Sequence, residues 1–281
     1  MTQPATATAA APRPGPDEFA KPGFGRLLVA EWTKIRTVRS TLWSLILLVV
    51  LDLGFTALLV GLTIAQWDNT SPTDRAQIAA DPVSFILGSG FFLSQLAICV
   101  LGVLVVASEY STGMIRASLL AVPRRLPMLW AKATVFALVV LVLGIAVSFG
   151  SFFIGAAISG DKIEVSLGDD GVLRAVIGGG LYLAMLGLFA LAVGAIVRHT
   201  AGGITGVIGF VLVLAPLAML LPGSVGDHIH AYLPSEAGAL IAKAHQGPDD
   251  ILSPWQGYGV FALWTVALLA VAAYLLKRRD A

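Results

Sequence analysis

The sequence predicts an all-α integral membrane protein: six transmembrane helices preceded by an N-terminal amphipathic helix, with both termini inside. Three observations carry this reading. First, the 281 residues are 57% hydrophobic and only 12% charged, with mean hydropathy +0.86, whereas a soluble domain carries about 25% charge. Second, six apolar runs each reach the roughly 20 residues that cross a hydrocarbon core about 30 Å thick as helix. Third, one orientation gathers 14 of the 18 Lys and Arg residues on a single side. An ordinary soluble enzyme is excluded, as is disorder over most of the chain.

Residues 1–23 are rich in Ala, Thr and Pro and poor in aliphatic and aromatic mass, which predicts a disordered cytoplasmic tail. They do not read as a signal peptide, because the first long apolar run begins only near Leu42 and is too long for one. Residues 24–40 come next. At 100° per residue Phe24, Leu27, Leu28, Trp32, Ile35, Val38 and Leu42 gather on one face, with basic residues on the rest. Such a helix suits the headgroup layer.

The six spans are expected at about 41–66, 84–108, 130–155, 174–197, 202–221 and 255–276. Continuous rather than alternating apolarity selects helices over a barrel. Only Arg198 to Ala201 separates the fourth and fifth, so these form a tight hairpin. The outer loop 222–254 contains helix formers between Pro234 and Ala244, and is expected to fold partly back into the outer leaflet. With the N-terminus inside, only Arg75, Lys162, Arg174 and Lys243 lie outside. The positive-inside rule therefore selects N-in and C-in.

Several residues carry potential chemistry. Glu31 falls in the middle of the apolar face of 24–40. It either pairs locally with Lys34 or meets a basic group of a neighbouring cytoplasmic segment, with Arg116, Arg124 and Lys132 the candidates. Glu109 closes the second span, and Gly113 can end that helix in a left-handed conformation. Met114 to Ala121 can form a short helix, bounded by Pro123 and Pro127. Flanked by one acid and three arginines, it is either a docking element or a basic loop that anchors topology.

Asp52 is the one acid within a predicted span. It reads as a substrate or proton contact in a translocation path, as a hydrogen-bonding partner of a Ser, Thr or Gln on another helix, or as a protonated acid. Glycines crowd the last spans, and Gly202 and Gly206 make a G-x-x-x-G step that reads as close helix packing. Pro216 is expected to kink the fifth span. Asp227, His228 and His230 lack the spacing of a zinc site, and Cys99 reads as a packing residue.

Two segments together resemble the permease subunit of an ATP-binding-cassette (ABC) exporter of the type 2 permease family, especially its actinobacterial form. The first is Glu31-Trp32-Thr33-Lys34-Ile35-Arg36 with Arg39-Ser40-Thr41. The second is Glu109, Gly113, Ile115, Arg116, Pro123 and Arg124, in the family's Glu-x-x-x-Gly-x-hydrophobic-Arg order with a later Pro and Arg. The sequence departs from the pattern at Ser108, where Gly often precedes the Glu, and at Met114, where Thr is common. Arg198 to Gly202 and Leu233 to Gly238 also resemble the family, so the likeness covers about 24–279.

The resemblance implies a type V exporter-like fold in the bacterial cytoplasmic membrane. It implies dimerisation with a second permease chain, as homodimer or heterodimer, and two copies of a separate ABC ATPase. Residues 24–40, with Glu31, Trp32, Lys34 and Arg36, would be the elbow helix. Segment 109–127 would be the coupling segment that enters a cleft of the ATPase. The chain has no G-x-x-x-x-G-K-[ST] loop, so no cofactor is expected on it and ATP and Mg²⁺ belong to the partner. The chain itself is not expected to be an enzyme. No nucleic-acid partner is expected, and a hydrophobic or amphipathic substrate suits the composition. The alternatives are a non-transporting membrane partner of such an ATPase or, against the lack of visible repeats and of paired intramembrane charges, a secondary transporter.

Overall fold

A computed structural model describes residues 23–114, 125–247 and 250–278. Among these residues every regular element is helical. In chain order α1 is Phe24–Thr37, α2 Arg39–Ala65, α3 Pro72–Ala80, α4 Pro82–Ser111 and α5 Arg125–Ser159. Then follow α6 Val172–Val197, α7 Thr200–Ala218, α8 Ser224–Ala231, α9 Pro234–Ala239 and α10 Pro254–Arg278. Six of them, α2, α4, α5, α6, α7 and α10, are long and apolar enough to cross a membrane. The protein is thus an all-α, six-span membrane protein.

Local chemistry sets the ends. Val38 has an extended backbone and separates α1 from α2, although its N–H still bonds the Lys34 carbonyl. Asp81 caps α4 by accepting the Ser84 N–H at 3.1 Å, and Pro82 occupies the first turn, where its missing N–H costs nothing. Helix α5 is already helical at Arg125, the first described residue after 114, ahead of the expected residue 130. Arg198 adopts a left-handed φ of 55° and closes the α6–α7 hairpin. The short α3, capped by Ser71, lies in a segment with no apolar periodicity to announce it.

Helix α6 is the most buried span and α2 the least. α6 packs against α4, α5, α7 and α10. Close approach explains its glycines: a Cβ on Gly180 would strike the Ile145 backbone of α5. A chain of rings runs through the centre, from Phe91 to Tyr182 (5.0 Å between centroids) and on to Phe261 (5.5 Å). Such tilted pairs add to the burial of large apolar area.

The G-x-x-x-G expectation fails within this chain. Gly206 has nothing within 4 Å of a built Cβ, and Gly202 meets only Val197 and His199 of its own hairpin. The close contacts fall instead on Gly178, Gly180 and Gly194, where helix and loop backbones cross. Pro216 has a visible effect on α7. Just before it, Gly209–Val213 is π-helical, and the Leu214 N–H bonds the Gly209 carbonyl five residues back. The proline lacks the N–H that would bond Leu212, and the widened turn accommodates the gap.

The segment between α7 and α10 folds back onto the bundle. Trp264 of α10 donates its indole N–H to the Tyr232 carbonyl at 3.1 Å. Gly178 of α6 lies directly beneath the Ile241 carbonyl.

Candidate functional site

Four charged side chains meet where α1 crosses the ends of α4 and α5. Leu27, Glu31 and Ile35 recur every fourth residue and form the buried face of α1, which directs Glu31 inward onto α5. Glu109 sits in the last turn of α4 and Lys132 near the start of the described part of α5, both buried.

The charges alternate around a closed ring. Lys34 Nζ donates to Glu31 Oε1 at 2.6 Å and to Glu109 Oε1 at 2.9 Å. Lys132 Nζ donates to Glu31 Oε2 at 2.8 Å and to Glu109 Oε1 at 2.9 Å. Each lysine therefore bridges both acids and the formal charges cancel. The side chains of Glu31, Glu109 and Lys132 are 7%, 6% and 5% exposed, whereas Lys34 retains 31%. Three members are thus desolvated and one opens to the surroundings. Glu109 Oε2 is buried and accepts no hydrogen bond.

Burial tends to lower the pKa of Lys34, but its bonds to the Glu31 and Glu109 carboxylates outweigh this and hold it above the ordinary lysine value. Each charge in the ring is met by two of opposite sign. Taking such charges out of water costs several kcal/mol each, roughly, and complementary geometry offsets it.

Both readings of Glu31 meet here, since it touches Lys34 on its own helix and Lys132 on another. The resemblance assigned Glu109 to the coupling segment, and the structure places it in the same ring as Glu31. Nothing local in the sequence joins residues 31 and 109. The available signal was charge balance, two acids and two lysines at one membrane boundary. Gly113 takes a left-handed φ of 71° just beyond α4. Trp32 and Arg36 lie on the exposed side of α1, with the guanidinium 5.8 Å from the indole centroid. Ile115, Arg116, Pro123 and Arg124, with most of the expected short helix from Met114 to Ala121, lie outside the described residues.

Sequence reasoning placed Arg198 in the hairpin but missed its pairing with Tyr110. Arg198 stands 5.0 Å over the Tyr110 ring and reaches the Leu275 carbonyl at 3.5 Å. Arg125 likewise donates to the Leu276 carbonyl at 3.2 Å. Two arginines therefore hold the carbonyl end of α10, which favours cations, to the same boundary as the ring.

A second polar cluster lies deep in the bundle. Asp52 of α2 is 3% exposed. Its Oδ1 accepts from the Ser94 hydroxyl of α4 and its Oδ2 from the Ser151 hydroxyl of α5, while Thr56 donates to Ser151 Oγ at 3.3 Å. Gly90 permits the approach, since a Cβ there would press on the Asp52 carbonyl and the Thr56 hydroxyl. At the other end His228 Nδ1 is 2.7 Å from the Ser224 carbonyl, and His230 lies 3.7 Å from Glu236. Among the described residues no three His, Cys, Asp or Glu side chains are grouped to hold a metal.

Fold and site together define a multi-pass α-helical membrane protein whose peripheral helix is bound to two spans by internal charges. Neither a protein-family model nor a curated protein matches the chain.

Proposed function

We propose that the chain is the transmembrane permease subunit of an ABC exporter, working as a dimer with two copies of a separate ATPase. One observation supports this above the rest. Glu109, which opens the Glu-x-x-x-Gly pattern, is bonded through Lys34 and Lys132 to Glu31 of α1. The two segments that resemble the family's elbow and coupling elements are therefore one mechanical unit. A push on the segment after Gly113 reaches α1 and α5 through charges that cannot part cheaply.

In this reading α1 is the elbow helix in the cytoplasmic headgroup layer of a bacterial inner membrane. ATP and Mg²⁺ are held by the ATPase subunits, and this chain supplies the path for a hydrophobic or amphipathic substrate. The decisive experiment is copurification of the tagged chain from its native membrane, followed by ATPase assays of the captured complex. An associated ATPase whose rate rises with a transported compound supports the reading. An ATPase without such a response makes the chain a non-transporting partner, and a chain that never copurifies with an ATPase removes the ABC reading.

A further inference from the structure

A second feature of α1 is independent of the charge ring. An almost entirely apolar groove of about 680 Å³ runs between α1, α2 and α5. Leu28 and Trp32 of α1 close one end, Leu45 and Val49 of α2 form one wall, and α5 lines it from Thr134 to Ala146. The twelve steps from Thr134 to Ala146 rise about 18 Å, slightly more than half of a hydrocarbon core about 30 Å thick. The groove thus has the depth of one leaflet and the length of one acyl chain.

The rim supplies the complement to that apolar interior. Trp32 is 45% exposed and carries the Arg36 guanidinium over its ring. Arg26, Arg36 and Arg39 are all exposed around α1, while Glu31 is buried in the ring with Lys34 and Lys132. Every exposed charge from Gly23 to Val50 is therefore positive. Indole rings settle at the membrane–water boundary, and cationic side chains there attract anionic lipid.

We propose that this groove binds one anionic phospholipid from the leaflet that carries α1, with an acyl chain between α2 and α5 and its phosphate beside Arg36. Apart from the Trp32 indole N–H at its end, the lining offers only the Thr134 hydroxyl for hydrogen bonding, so a ligand seated there must keep its polar group outside, at the rim. A phospholipid does so, and a zwitterionic one gains less because its own ammonium opposes Arg36. The lipid then fills the space beneath α1 and fixes its tilt. This inference rests on the membrane-spanning fold alone and not on the transport reading.

The test is native mass spectrometry of the full chain from vesicles of equal parts phosphatidylglycerol and phosphatidylcholine. Wild type should retain one phospholipid, with phosphatidylglycerol favoured about fivefold, the effect of one well-placed basic residue. Arg36→Glu, at an exposed site, should keep a lipid but lose the preference. Val142→Trp fills the groove from a position that is 68% exposed, so folding is spared, and it should lower occupancy by either lipid several-fold. Equal retention of both lipids by wild type, or a preference that survives Arg36→Glu, would overturn the proposal. So would Val142→Trp splitting a dimer while leaving the lipid count unchanged, which would make the groove a seam between two copies.

Discussion

Lys132 Nζ and Glu31 Oε2 lie 2.8 Å apart although 101 positions separate them in sequence. The pair joins a helix on the rim of the bundle to one in its body, and both side chains are nearly inaccessible. A contact of this kind is costly to break from one side only.

Stability measurements should show that asymmetry. Lys132→Met leaves two buried carboxylates sharing Lys34 and should cost about 3–5 kcal/mol in detergent-solubilised protein. Adding Glu109→Gln restores neutrality and should recover more than half of the loss. The double-mutant cycle measures the coupling directly. Strictly additive costs would mean that the two side chains do not share a network.

Transport should respond to Glu31 more than expression does. Glu31→Gln keeps the shape but weakens both lysine contacts, so uptake into inverted vesicles should fall several-fold with membrane levels unchanged. Reversing both charges, Glu31→Lys with Lys132→Glu, should restore part of it. In the same assay Arg116→Glu should leave insertion intact and separate ATP hydrolysis from transport. Should Glu31→Leu raise stability and leave transport intact, the ring has only a structural role.

Asp52 should tolerate loss of charge better than loss of polarity. Asn still accepts one serine hydroxyl and donates to the other, so Asp52→Asn should change stability by no more than about 1.5 kcal/mol, the worth of one hydrogen bond. Asp52→Leu orphans two buried hydroxyls and should cost about 2–4 kcal/mol. Equal costs for the two variants would indicate that charge, not hydrogen bonding, holds α2 to α4 and α5.

The pH dependence of the Lys34 contribution follows from its sign. Its folded-state pKa is raised above the ordinary 10.5, so the stability it contributes is complete below the unfolded value and is lost as pH rises through the folded one. The difference between wild type and Lys34→Met should stay constant from neutrality to about pH 10 and shrink only above it. Erosion of the gap between pH 7 and 9 would contradict a raised pKa.

Topology can be read by labelling. In a Cys99→Ala background, cysteines at the exposed positions Ser71 and Gly247 should react with an impermeant reagent in intact cells, and a cysteine at Ser118 should not. Labelling at Ser118 alone would invert the orientation drawn from the 14-to-4 division of basic residues.

The spans were readable because a membrane demands about 20 contiguous apolar residues, a property of composition that no tertiary contact overrides. The hairpin at Arg198 was readable for a similar reason, since two apolar runs four residues apart leave room only for a turn. Glu31 announced itself by breaking the amphipathic pattern of α1. The closure of the ring through Glu109 was hidden, since it depends on how α1, α4 and α5 cross, and helical periodicity says nothing of crossing. The Gly202–Gly206 step misled because small residues permit close packing without requiring it, and here the permission goes unused within the chain. The Ser94 and Ser151 partners of Asp52 lie 42 and 99 positions away, among many serines with equal claim.

The π-helical stretch Gly209–Val213 also sets the phase of α7. One surplus residue in a helix turns everything beyond it by about 100°. The two halves of α7 meet different neighbours along its length: Gly203, Val207 and Val211 pack on the bundle, while Ala215 and Ala218 join Leu233 of the returning loop. Deleting one residue from the widened turn should restore an unbroken spiral and swing Ala215 and Ala218 away from Leu233. The axis is continuous but the registry is not, so the hairpin and the returning loop can each be remodelled by substitution without retuning the other.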